Sequence, residues 1–132
     1  MSILLAYDGK PSSETALDYS VKYANNFDEP LYILTVVSRE QMDPDDPDES
    51  VREYMEAAQQ KASSEGIDAH TIIEVGKPSD KVLEIADSYK CGTLILGRSD
   101  RSTIDRKVMG SVSDSAVKYF KGTIVIVSDD RI

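Results

Sequence analysis

The chain has 132 residues, of which 40% are hydrophobic, and its formal net charge is −9 at pH 7. This length and apolar content predict one domain over residues 1–132 and leave no room for a second. The negative charge argues against nucleic acid as a partner, because affinity for DNA or RNA depends largely on cationic contacts with phosphates. We expect a cytoplasmic protein without membrane insertion, because there is no apolar run of spanning length and no basic start of a signal peptide.

Strand-like and helix-like patterns alternate along the chain. The predicted strands cover residues 3–7, 31–37, 69–75, 93–96 and 123–127. The predicted helices begin near Ser13, Ser50, Ser79 and Ser111. Ser50 and Glu53 fit a capping box at the start of the second helix.

This alternation predicts an α/β fold, because parallel neighbouring strands require crossover connections and these are right-handed. We expect a doubly wound, five-stranded parallel sheet of order 3-2-1-4-5 with helices on both faces. In that order the chain reverses direction between strands one and four, and ligands bind beyond their carboxyl ends. Asp8 and Gly9 end strand one and Gly97 ends strand four, so these residues should meet at the binding edge.

A glycine pattern follows the fourth predicted strand. Gly97 ends that strand, and Gly110 and Ser111 follow Asp100 after a spacer of nine residues. Glycine lets backbone N–H groups approach an anion, and a helix N-terminus adds unpaired donors and a partial positive charge. The pattern predicts a phosphate site at which Ser111 contacts phosphate, or only caps the helix in a capping box with Asp114, or does both.

With these features the chain resembles the universal stress protein family, whose phosphate loop reads G-x2-G-x9-G-[S/T] on a sheet of this order. The resemblance covers nearly the whole sequence. It rests on the opening residues 3–9, the strand end at 36–37, the Gly-Lys-Pro turn at 76–78, and residues 94–97 before the loop. It implies a small stress-response protein that binds ATP, accompanied by Mg²⁺, and that regulates a protein partner not identified by the sequence.

The resemblance also implies which residues bind the nucleotide. The adenine and ribose would lie near Ala6, Asp8 and Val36. The phosphates would be held by backbone amides of Gly97, Arg98, Arg101, Gly110, Ser111, Val112 and Ser113.

Asp100 departs from the family pattern, because ATP-binding members carry glycine at this position. A carboxylate about 4 Å from a phosphate would cost about 1 kcal/mol in water-like surroundings and about 4 kcal/mol at an effective dielectric constant of about 20. Affinity would fall by about tenfold to about a thousandfold. Three outcomes remain open: Arg98 and Arg101 offset the charge, Asp100 points outward, or Asp100 helps to hold Mg²⁺.

Two charged segments each allow two interpretations. Residues 98–107 contain four basic and two acidic side chains, which suits an anionic ligand or a solvated loop with surface ion pairs. Residues 43–49 contain five acidic side chains, yet lack the glycine and ligand spacing of a calcium loop, which favours a solvated connection.

Enzyme signatures are weak in this sequence. The Gly-Lys-Pro triplets at 9–11 and 76–78 lack the spacing and the Ser/Thr of a P-loop. His70, the only histidine, lies inside a predicted strand and away from the strand ends, where we expect a structural role. Neither a nucleophile elbow nor Cys/His metal spacing is present, so we expect at most slow ATP hydrolysis.

Two functional hypotheses from different classes follow. The first is an ATP-binding regulatory protein, and the second is a dimeric interaction module of the same fold that has lost nucleotide binding, with Asp100 as the sign of that loss. A catalytic relative ranks third. The last strand, Thr123 to Val127, is predicted at the sheet edge, where it exposes unpaired backbone groups. The family resemblance implies a homodimer formed through that strand.

Overall fold

The computed structural model describes residues 1–38, 48–99 and 110–129. Within these ranges the strands are β1 (Ser2–Ala6), β2 (Leu31–Val37), β3 (Ala69–Val75), β4 (Cys91–Ser99) and β5 (Thr123–Asp129). The helices of the same ranges are α1 (Pro11–Phe27), α2 (Glu49–Ser64), α3 (Pro78–Ser88) and α4 (Ser111–Tyr119). The strands form a parallel sheet of order β3-β2-β1-β4-β5, which confirms the predicted topology.

The start of α2 differs from the prediction. Asp48 is the N-cap, and its carboxylate accepts a hydrogen bond from the Ser50 N–H at 3.3 Å. Ser50 is therefore already helical, and the predicted capping box with Glu53 is wrong. Aspartate caps a helix as well as serine does, so the first suitable residue along the chain determines the boundary.

Both α1 and α3 begin earlier than predicted, at a proline. Pro11 and Pro78 occupy the first helical position, whereas the predicted starts were near Ser13 and Ser79. Proline suits this position because its fixed φ is helical and its missing N–H would have no partner inside the helix.

Alternate residues of the central strands face opposite layers. Ile3 and Leu5 of β1 pack with α1 and α2, while Leu4 packs with α3 and α4. All three side chains are fully buried, as expected for a parallel strand that is covered on both faces. These two apolar cores hold β1 beside β4, in the register Leu5 to Ile95, at the centre of the sheet.

The strand β5 lies at one edge of the sheet. It pairs with β4 from Thr93 opposite Thr123 to Ser99 opposite Asp129, so both strands are longer than the predicted apolar runs. The runs were too short because polar residues at strand ends also join the hydrogen-bonded ladder. No helix among the described residues is long and apolar enough to cross a membrane.

Candidate functional site

A cavity of about 400 Å³ opens at the carboxyl edge of the sheet. It lies where β1 and β4 are neighbours, which is the position that the strand order predicted for a ligand. Three helices, α1, α3 and α4, contribute residues from their first turns. Since helix N-termini carry a partial positive charge, this edge is suited to an anion despite the negative charge of the chain.

One part of the cavity wall is apolar. It consists of Ala6, Leu34, Val36, Val82, Leu96 and Val112. The members from β1, β2 and β4 belong to the same sheet face, the one that α3 and α4 cover. An apolar wall with a few polar groups is typical of a small-molecule site, and it suits a flat heterocyclic ring.

Asp8 lies on the polar side of the cavity, directly after β1. Its Oδ1 atom accepts hydrogen bonds from the Ser13 hydroxyl at 2.8 Å and from the Lys10 N–H at 2.9 Å. These bonds fasten the carboxylate to the start of α1. Among the described residues no hydrogen bond reaches Oδ2, so this oxygen is available to a ligand hydroxyl.

The start of α4 offers backbone donors. Gly110 is the N-cap and has no side chain to bond them, and the first intrahelical bond runs from the Asp114 N–H to the Gly110 carbonyl at 2.9 Å. The amides of residues 111–113 precede that bond and have no acceptor among the described residues. The predicted capping box of Ser111 is wrong, because Ser111 is the first helical residue and not the cap.

Gly97 has a packing role that the sequence did not predict. A Cβ atom at this position would lie 2.5 Å from the Ser12 carbonyl oxygen and 3.2 Å from the Ser13 Cα. Only glycine therefore lets the first turn of α1 rest against the end of β4. This contact brings Ser12 and Ser13 to the cavity together with Gly97.

The predicted binding residues fall into three groups. Six line the cavity: Ala6, Asp8, Val36, Gly97, Val112 and Ser113. Gly110 and Ser111 form the start of α4 without lining it, and Arg98 follows Gly97 in β4, also outside the lining. Arg101 and Asp100 lie outside the described residues, as do most of segment 98–107 and residues 43–47.

Eight residues that line the cavity were not predicted from the sequence. They are Tyr7, Lys10, Ser12, Ser13, Leu34, Pro78, Val82 and Leu96. Their common signal is position, since most lie at the end of a strand or in the first turns of the following helix. That position becomes informative only when the sheet order is known.

Tyr7 connects the cavity to the opposite face of the sheet. Its hydroxyl donates a hydrogen bond to Glu14, and its ring packs edge-on against Tyr54 with 5.7 Å between centroids. Tyr54 in turn shares a 2.8 Å hydrogen bond with the Thr35 hydroxyl. Burial raises the pKa of Tyr7 well above its ordinary value of 10.0, and the bond to the Glu14 carboxylate raises it further.

This raised pKa makes the stability of the protein sensitive to alkaline pH. Tyr7 keeps its proton in the folded state at a pH where the unfolded chain has lost it. Its contribution to the free energy of unfolding is therefore complete below about pH 10 and falls as the pH rises further. We expect Tyr7→Phe to cost about 1–2 kcal/mol at pH 7 and to lose less stability between pH 9 and 11 than the wild type. Urea unfolding across this range measures the difference.

Tyr19→Phe is the matched control, because Tyr19 is 42% exposed and lies on α1, away from the edge strand. Its unfolding free energy should follow the wild-type curve at every pH. If the unfolding free energies of Tyr7→Phe and the wild type fell in parallel with rising pH, the raised pKa of Tyr7 would be contradicted.

Comparison with known proteins identifies the family. The model of the universal stress protein family matches residues 1–128. The chain belongs to the universal stress protein family. A universal stress protein of Methanocaldococcus jannaschii is 21% identical over 140 residues, which cover 98% of this chain and 82% of that protein.

Solved structures of family members have the same architecture. A universal stress protein in complex with cAMP is 25% identical, with a TM-score of 0.76 over 96% of this chain and 95% of that one. The Archaeoglobus fulgidus universal stress protein in complex with dAMP is 19% identical, with a TM-score of 0.73 over 96% of this chain and 97% of that one. The second likeness establishes the fold alone.

Proposed function

We propose that this universal stress protein binds ATP, together with Mg²⁺, in the cavity at the carboxyl edge of its sheet and acts as a regulatory protein. The observation that supports the proposal best is the pairing of an apolar wall with the uncapped start of α4 in one cavity. A nucleotide has the same two-part chemistry, because its base is flat and largely apolar on its faces while its phosphates are anionic.

The described residues can be matched to the parts of ATP. Adenine fits the apolar wall that includes Ala6 and Val36, and the free oxygen of Asp8 suits a ribose hydroxyl. The amides of Val112 and Ser113 suit phosphate oxygens, since helix N-termini bind anions through unpaired N–H groups. These roles agree with those that the family resemblance implies.

The relatives support the ligand class. Two of the similar solved structures hold cAMP and dAMP, which are both adenine nucleotides. We extend the class to ATP for this chain because the family resemblance implies ATP, and because the three amides of residues 111–113 can bond to oxygens of more than one phosphate group.

Mg²⁺ would be held mainly by the nucleotide itself. This ion usually keeps several waters and binds one or two carboxylates together with substrate phosphates. Asp8 is the one carboxylate among the described lining residues. No group of three or more potential metal ligands occurs in the described part of the chain.

A thermal-unfolding scan with MgATP, ADP, AMP and GTP tests the proposal. Ligand at about 100 times its dissociation constant adds about 2.7 kcal/mol, a shift of several degrees for a chain of this size. We expect the largest shift with ATP and a smaller one with GTP. The absence of any shift at millimolar ATP would contradict the proposal, and binding acquired only by Asp100→Gly would favour the interaction module that has lost nucleotide binding.

The edge strand β5 gives specific support to the second candidate function, a dimeric interaction module. Side chains 124–127 of β5 are only half-buried, and nearby Val117 and Tyr119 of α4 are 58% and 68% exposed. Pairing with a second copy through Thr123 to Val127 would cover this surface and the free edge. Sedimentation should give a dimer, and a monomer at micromolar concentration would contradict this assembly.

A further inference from the structure

We propose that Lys10 binds the phosphates of the ligand and makes the site prefer nucleotides with more phosphate groups. This inference rests on the proposed function and adds a residue that the phosphate-loop pattern does not include. The chain contains two Gly-Lys-Pro-Ser segments, residues 9–12 and 76–79. They begin α1 and α3, both at the carboxyl edge of the sheet.

A lysine is the N-cap in both segments. Lys10 and Lys77 have extended backbones, and neither side chain bonds to the helix that follows. Lysine lacks the acceptor that a good N-cap needs, and its charge opposes the positive end of the helix dipole. Both helices therefore begin with a residue that lowers their stability. Local rules are broken most often at functional sites.

The two lysines differ in their relation to the cavity. Lys10 lines it, whereas Lys77 does not, although the following Pro78 does. The pair therefore separates two explanations within one chain. A general effect of positive charge at helix starts would involve both residues, while a contact with the ligand would involve Lys10 alone.

The backbone of Lys10 is held on both sides. Its N–H donates to Asp8 at 2.9 Å, and its carbonyl accepts from the N–H groups of Ser13 and Glu14 at 3.0 Å each. The side chain is exposed and forms no ion pair with any residue in the described ranges. A fixed backbone thus presents an ammonium group that can turn to the cavity rim.

Lys10 also counters the nearest negative charge. Asp8 and Lys10 are the only ionisable Asp, Glu, Lys or Arg side chains among the described residues that line the cavity. The carboxylate would repel phosphates, and the ammonium two residues away offsets that repulsion. Since each added phosphate brings more negative charge, the contribution of Lys10 should grow from AMP to ATP and be small for adenosine.

Calorimetric titrations with adenosine, AMP, ADP and ATP test this inference in four proteins. They are the wild type, Lys10→Asn, Lys10→Arg and the matched control Lys77→Asn. Asparagine is a good N-cap, so we expect both asparagine variants to melt above the wild type without ligand. Lys10→Asn should bind ATP about tenfold more weakly, AMP less so, and adenosine within about twofold.

The other two proteins should behave differently. Lys77→Asn should bind ATP within about twofold of the wild type, and Lys10→Arg should keep most of the affinity because it keeps the charge. A gain in stability together with a loss of ATP affinity is a result that a merely structural role for Lys10 would not give.

Other outcomes would overturn either the role of Lys10 or the proposed function. Wild-type ATP affinity in Lys10→Asn, equal losses in both asparagine variants, or an equal loss for adenosine and ATP would overturn the role of Lys10 and leave nucleotide binding intact. A wild-type protein that binds none of the four ligands would overturn the proposed function and, with it, this inference.

Discussion

Gly97→Ala should lower the free energy of unfolding by about 3 kcal/mol. The new Cβ would lie 2.5 Å from the Ser12 carbonyl oxygen, and this neighbour is backbone that cannot rotate away. To relieve the clash, the first turn of α1 must move off β4. The melting temperature should fall by about 10 °C, as measured by thermal and urea unfolding.

Gly92→Ala is the matched control in the same strand. Its Cβ would meet the sulfur of Met1 at 2.9 Å, but that side chain belongs to a residue that is 84% exposed, and it can turn into solvent. We expect a change below about 1 kcal/mol. If Gly97→Ala were as stable as Gly92→Ala, this result would contradict the conclusion that α1 packs too closely on β4 to admit a side chain at position 97.

Ala6→Phe should weaken ATP binding by at least about a hundredfold while the protein stays folded. Ala6 is the last residue of β1 and lines the cavity with Leu34, Val36 and Leu96. A phenyl ring at this position would occupy the apolar space that we assign to adenine. The cavity can hold the ring, so unfolding should change far less than binding, and titration calorimetry with a thermal scan separates the two.

Ala6→Ser controls for the position itself. It adds one oxygen and leaves the cavity open, so its ATP affinity should stay within a few-fold of the wild type. Undiminished ATP affinity in Ala6→Phe would place the nucleotide elsewhere on the protein.

The strand order could be predicted from the sequence because it follows from general rules. Buried strands such as residues 31–37 are almost continuously apolar, helices show apolar stripes, and right-handed crossovers leave few ways to arrange five parallel strands. The same rules placed Asp8 and Gly97 at one edge, and both line the cavity.

Details that depend on tertiary contact or on competing caps could not be predicted. Gly97 was interpreted as a glycine for anion approach, and only the position of Ser12 reveals the packing constraint. Asp48 and Ser50 were both suitable caps, and nothing local to the sequence chose between them. Lys10 was compared only with a P-loop lysine, and its place at the cavity depends on how α1 leaves β1.

We place an adenine nucleotide at the carboxyl edge of the sheet, and an amide chemical-shift titration with MgATP can show whether it binds there. We predict saturable shifts in the amides of Ala6, Val36, Gly97, Val112 and Ser113. The resonances of amides near His70, at the start of β3, and near Tyr89, at the end of α3, should not shift, because both residues lie at the opposite edge of the sheet. Saturable shifts confined to that opposite edge, or no shifts at millimolar ATP, would contradict nucleotide binding at the carboxyl edge.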